Sequence, residues 1–271
     1  MTVNNSLTTN RKPKFSVAIQ SDAYKNLINQ TLGDPNRSAR FIAAISSAVA
    51  VNPQLQNCDA GTIISGALVG ESLNLSPSNQ LGHYYLVPFE DRKNNRTVAS
   101  FQIGYKGLLV LAMRSGQYKK INVLSIKEGE LINYNPLTEE LNVNLIEDED
   151  KRDKAKTIGY YAMFELINGY QKSLYWNKDK MEAHANKYSK GYQARKGFTF
   201  WEKDFDAMAY KTLLRQLISK WGIMSIELEQ AYTKDMSAVH DDGKVEYVDN
   251  DNSTSFEPIS DPVEIIEDEQ V

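Results

Sequence analysis

The chain has 271 residues, of which 41% are hydrophobic and 24% charged, and its formal net charge is −4. That is enough to bury a substantial core in one large or two small domains, and no apolar run is long enough to cross a bilayer. The single cysteine, Cys58, excludes an intramolecular disulfide, fits a reducing cytoplasm and reads as a small buried apolar residue.

The N-terminal MTVNNSLTTNRKPKF has no apolar stretch after its charges and so does not read as a secretory signal. Ser21 caps a predicted helix over 22–32, which Gly33 stops. Asp34-Pro35 pairs an N-cap with proline at the first helical position, and the helix it opens ends before Asn52-Pro53. Asp59 opens a third helix, in which Gly61, Ser65, Gly66, Ala67 and Gly70 permit close packing. HYYLVPFE and TVASFQI read as a hairpin with a basic tip, DRKNNR, and Pro88 argues against a central strand position.

YKGLLVLAMRSG is a helix ending at Gly116, and QYKKINVLSI is a strand whose alternation puts Lys119 and Lys120 on opposite faces. ELINYNPLTEEL reads as strand and turn, and EDEDKRDKAK as a solvated loop. TIGYYAMFELI and YQKSLYW pair around Asn168-Gly169, a strong turn signal. A helix begins near Asn177, and EKDFDAMAYKTLLRQLISKWG forms a long one ending at Gly222. From about Asp235 the chain is polar, acidic and aperiodic, and reads as disordered except for a short apolar-acidic end, PVEIIEDE. Strands and helices do not alternate regularly, which argues for an α+β fold, a small antiparallel sheet with hairpins backed by helices. We divide the chain into an N-terminal segment with a short helix (1–33), a core (34–233) and an acidic tail (234–271).

The net charge hides an asymmetry. Residues 92–220 carry 23 Lys/Arg and 15 Asp/Glu, whereas residues 234–271 carry two lysines and 12 acids. A basic body with an acidic tail occurs in proteins that handle polyanions; an uneven scatter of solvated charge is the plainer alternative. Catalytic signatures are sparse. GTIISGAL has the glycine spacing of a phosphate loop but not its lysine, and no G-x-S-x-G occurs. One cysteine and three scattered histidines do not make a local zinc site. Glu165 with Lys172, across the second hairpin, is the nearest approach to a nuclease constellation. Together these favour a binding protein over an enzyme, with no cofactor.

Residues 186–201, NKYSKGYQARKGFTFW, gather Lys187, Lys190, Arg195 and Lys196 with Tyr188, Tyr192, Phe198, Phe200 and Trp201, and contain no carboxylate. Cations that track phosphates and rings that stack on bases are what single-stranded nucleic acid requires. The alternative is a loop whose rings dock into the core while its lysines face water. In the last helix Lys211 and Arg215 share a face beside the apolar one. Asp204 lies there too, so an intrahelical ion pair is the alternative.

LNLSPSNQLGHYYLVPF, FQIGYKGLLVLAMRSGQYKKINV, FELINGYQK, HANKYS and FWEKDFDAMAYKTLLRQLISKWG together resemble the RecT family of phage and prophage single-strand annealing proteins, from about Leu32 to Tyr232. The resemblance implies binding of single-stranded DNA and ATP-independent pairing with its complement. It also implies a fold similar to that of the phage lambda beta protein, assembly into rings or helical filaments, and a companion 5′→3′ exonuclease in the bacterial host cytoplasm. A metal-dependent nuclease acting on the same DNA is the alternative. From residue chemistry, Lys106, Arg114, Lys119, Lys120, Lys187, Arg195, Lys196, Lys211 and Arg215 are candidates for phosphate contacts. Asn79, Gln80 and His83 lie in a turn-rich segment placed to reach the backbone, and Tyr188, Phe198 and Phe200 are candidates for base stacking.

Overall fold

The structure, a computed structural model, describes residues 13–91, 94–197, 199–240 and 244–247. Four helices open the fold: α1 (Phe15–Ala18), α2 (Asp22–Leu32), α3 (Pro35–Val51) and, after a 3-10 turn at Pro53–Asn57, α4 (Ala60–Ser72). The cap residues place the boundaries. The Asp34 and Asp59 carboxylates accept from the amides of Asn36 and Gly61, and Gly33 closes α2 at φ +67°. Ser21 stands at the N-cap of α2, but its side chain makes no capping bond.

Strands β1 (Tyr84–Asp91) and β2 (Arg96–Ile103) form the first hairpin, and α4 packs on it. Small residues decide that approach. A Cβ on Gly70 would lie 2.2 Å from the buried Tyr84 ring, and one on Gly66 would lie 3.0 Å from Leu86. Helix α5 (Tyr105–Arg114) leads to β3 (Tyr118–Lys127), and a separate hairpin follows, β4 (Leu131–Asn135) with β5 (Glu140–Val143). After α6 (Glu149–Lys154), β6 (Thr157–Leu166) and β7 (Gln171–Asn177) turn at Gly169, φ +87°. Then come α7 (Lys178–Tyr188), α8 (Lys190–Gln193), α9 (Phe200–Lys203), α10 (Phe205–Trp221), α11 (Ile226–Lys234), β8 (Ser237–Val239) and β9 (Val245–Tyr247).

Among the described residues the strands form three antiparallel sheets, ordered β1-β2-β8-β9, β3-β6-β7 and β4-β5. One core joins the first two with the helices behind them. On α10, Leu213, Leu214, Leu217 and Ile218 are fully buried, each contributing roughly 1.5–3 kcal/mol by leaving water. Pro88 sits on β1, an edge strand, where its missing N–H leaves no ladder gap. Cys58 is buried, and burial followed by the charge of Asp59 pushes its thiol up to about 12. An α+β fold of antiparallel sheets backed by helices is therefore what the sequence builds.

Four expectations are corrected. The run read as a solvated loop contains α6, because Arg152 donates to Glu130, whose side chain is fully buried, and to the Ser125 carbonyl. The long helix breaks at Asp204, which caps α10, so Phe200–Lys203 is a separate turn with its own Thr199–Glu202 capping box. Lys119 and Lys120 do not alternate cleanly. Tyr118 pairs with Leu166 and Lys120 with Glu165, so Lys119 is the extra residue of a bulge, and both lysines are exposed. Finally, the region after Asp235 is ordered as far as it is described: β8 lies inside the first sheet and Ser237 and Ala238 are buried. Three-residue strands are too short to show a period. The remaining tail, 248–271, lies outside the described residues.

Candidate nucleic-acid interface

The segment between α4 and β1 folds over the start of α5. Arg114, at the last turn of α5, donates to the carbonyls of Leu73 (3.2 Å) and Asn74 (2.9 Å), which otherwise end α4 without partners. His83 accepts at Nδ1 from the Ser76 amide, 3.2 Å away. Burial, and then the positive charges of Arg114 and Lys106, hold its imidazole below the usual histidine range. His83 is therefore neutral at physiological pH and able to accept. Lys106 is exposed, and its stem passes Gly82 so closely that a Cβ there would meet Cδ at 3.4 Å. Asn79 and Gln80 are exposed in the same segment.

A ring that the sequence reading passed over joins this group. Tyr85 is half-buried, its hydroxyl lies against Gly82, and its ring stands 5.4 Å from that of Phe200. Strand alternation marks the difference from its neighbour: Tyr84 points into the core and Tyr85 points out. Asn79, Tyr85 and Phe200 line a cavity of about 160 Å³ together with Ala48 of α3 and Asn52 at its C-cap. The fold thus brings Asn79, His83, Lys106, Arg114 and Phe200 into one neighbourhood.

The aromatic–cation stretch divides. Tyr192 and Trp201 are core residues, 5% and 7% exposed, whose rings meet Phe205 at tilted and edge-on angles. Tyr188 is 57% exposed, packed against His184 at 4.5 Å, with the Lys187 ammonium 5.2 Å from its ring. Arg195 is exposed and lies over the Tyr192 ring at 4.4 Å, in a left-handed turn (φ +51°), and Lys196 beside it is exposed. Phe198 lies outside the described residues. The absence of acids is linear rather than spatial, because Glu202 folds back to accept from the amides of Gly197 and Thr199. Those bonds hold its carboxyl below the usual range.

Two candidates are reassigned. Lys211 is 6% exposed, and its Nζ lies 2.9 Å from Asp235, which also receives Arg215 at 2.5 Å and the Ile103 amide at 3.0 Å. Arg215 stacks on Tyr232 as well. The pair braces the C-terminal segment against α10 and β2, with Lys211 buried and Arg215 partly exposed. The alternative partner, Asp204, instead caps α10. Lys119 is exposed but held 2.5 Å from Glu165, and Lys172 pairs with Glu139, so the nuclease-like pair Glu165 and Lys172 is divided between different partners. Among the described residues no three His, Cys, Asp or Glu side chains are placed to hold a metal, and no helix is long and apolar enough to cross a membrane.

Fold and surface together define an α+β protein of antiparallel sheets backed by helices, with exposed cations beside a ring-lined cavity. The model of the RecT family matches residues 39–248, and the chain belongs to that family. The match runs beyond Tyr232 through β8 and β9. The chain is 43% identical over 195 residues, 72% of its length, to the uncharacterized protein YqaK of Bacillus subtilis (strain 168). That alignment covers 63% of the Bacillus protein, less than two thirds of its length. It is 29% identical over 198 residues to Protein RecT of Escherichia coli (strain K12), covering 72% of this chain and 70% of that protein.

Proposed function

We propose that this protein binds single-stranded DNA and anneals it to a complementary strand during phage recombination, without nucleotide or metal. Membership of the RecT family is the observation that carries the reading. The exposed cations beside stacking surfaces support it chemically. Annealing is downhill, since pairing and stacking supply the free energy, and the obstacles are repulsion between two phosphate backbones and the search for register. Lys106, Lys187, Arg195 and Lys196 are assigned to neutralise one backbone, with Lys119 and Lys120 as an exposed outlying pair. Tyr188 is assigned to stack on a base. On this reading the protein works as a homo-oligomer, ring or filament, in the bacterial cytoplasm, on strands that a 5′→3′ exonuclease exposes.

The test mixes two complementary labelled oligonucleotides with the protein in EDTA, without nucleotide. Faster duplex formation is expected. Slower pairing would make the protein a passive single-strand binder, and shortened products once magnesium is restored would make it a nuclease.

A further inference from the structure

We propose that the cavity between α3, the segment before β1 and α9 receives a single nucleobase of the bound strand. The inference rests on the single-strand-binding reading above. Three observations carry it. The first is volume: the cavity measures about 160 Å³, and an apolar cavity of about 150 Å³ is known to admit one benzene ring. A single nucleobase is of comparable size and fits that space. The second is the lining. Tyr85 and Phe200 supply rings, Leu86 and Ala48 supply apolar walls, and Asn52 and Asn79 bring carboxamides. Each carboxamide carries both a donor and an acceptor, so it can meet the Watson–Crick edge of a base. The third is position. Tyr85 and the stem of Lys106 both abut Gly82, and His83 feels the charges of Lys106 and Arg114. A base entering beside Tyr85 therefore leaves its phosphate near cationic groups.

The geometry also explains why Gly82 and Gly104 stand where they do. A Cβ on Gly104 would lie 2.1 Å from the Gly82 carbonyl oxygen and 3.2 Å from the Tyr85 ring. The close contact of these two backbones seats Tyr85 at the cavity wall.

The test fills the cavity without touching a cation. Ala48→Phe puts a ring into it from α3. Full-length wild type and A48F are titrated with labelled oligo-dT, oligo-dA and an abasic oligomer of equal length and charge. Wild type is expected to bind dT more tightly than the abasic oligomer. A48F is expected to weaken dT and dA binding by roughly 5- to 150-fold, the equivalent of one lost base stack, and to leave abasic binding within about twofold. Unchanged dT binding in A48F, or equal weakening of dT and abasic oligomers, overturns the proposal. If A48F melts well below wild type, Asn79→Ala replaces it, because Asn79 is exposed. A single 2-aminopurine in the dT strand then reports on stacking in wild type, where fluorescence unquenched by protein overturns the pocket. Wild type that binds dT and abasic oligomers alike sinks the pocket alone. Wild type that binds none of the three sinks the single-strand reading with it.

Discussion

Replacing Asp235 by alanine should destabilise the protein severely, although the residue lies in a stretch whose composition reads as tail. Its side chain is 2% exposed and accepts three times: from Lys211 Nζ at 2.9 Å, Arg215 Nη1 at 2.5 Å and the Ile103 amide at 3.0 Å. Alanine leaves the ammonium of Lys211, whose side chain is 7% exposed, without its anion, and the Ile103 N–H without an acceptor. Removing one partner of a buried pair costs about 3–5 kcal/mol. For a domain of this size that is a drop in melting temperature of roughly 6–20 °C. Thermal melting followed by circular dichroism, with urea unfolding at constant m, measures it. Arg215 is 25% exposed and can turn toward water, so most of the loss belongs to Lys211. The double variant D235A/K211M should therefore recover part of the stability, with a coupling of at least about 1 kcal/mol. A D235A protein within about 1 kcal/mol of wild type, or a K211M change that rescues nothing, would refute the brace.

The same lysine predicts a pH dependence. Burial, outweighing the attraction of Asp235, lowers the Lys211 pKa from its ordinary value. The unfolded state therefore binds more protons between the lowered value and about 10.4, and this contribution to stability rises with pH in that window. Wild type should gain on K211M as pH climbs from 8 to 10, and a constant gap in melting would contradict this. Arg152→Ala strands the buried Glu130 carboxylate and should cost about 3 kcal/mol at neutral pH. Hydrogen bonds from Arg152 and from backbone amides lower the Glu130 pKa despite burial, so that stability is lost as pH falls through the lowered value. Wild type and R152A should converge in acid. In DNA titrations, Lys106→Ala and the pair R195A/K196A should each reduce the log–log salt slope by about 0.7 per lost phosphate contact, whereas K211M leaves it unchanged. Truncation after Tyr247 removes eight acids and no cation, and should tighten single-strand binding at low salt with the gain fading as salt screens it. Truncation after Thr233 removes Asp235 and should melt early; equal stability of the two truncations would argue against the brace.

Local chemistry made much of the fold legible. Asp34-Pro35, Asp59 and Asn177 marked helix starts, and each carboxylate or carboxamide caps the helix it was expected to cap. Asn168-Gly169 marked a hairpin. The signals fail where a partner lies far along the chain. Arg152 meets Glu130 across 22 residues and Lys211 meets Asp235 across 24, and neither spacing is a helical or strand period. At the candidate interface, the segment holding Asn79 and His83 was recognised by its polar turns. Tyr85 was overlooked there, although the alternation that turns it away from the core was present in the sequence.

By itself the sequence determined most of the element types, the family and the general location of cations and rings, because caps, turns and periodicity act within a few residues. It could not decide which of those cations face solvent. Lys211 and Lys106 both stand on helices beside apolar faces, yet one is buried against Asp235 and the other is exposed beside Gly82. That choice belongs to the tertiary structure, because burying a charge depends on whether a distant anion arrives to meet it.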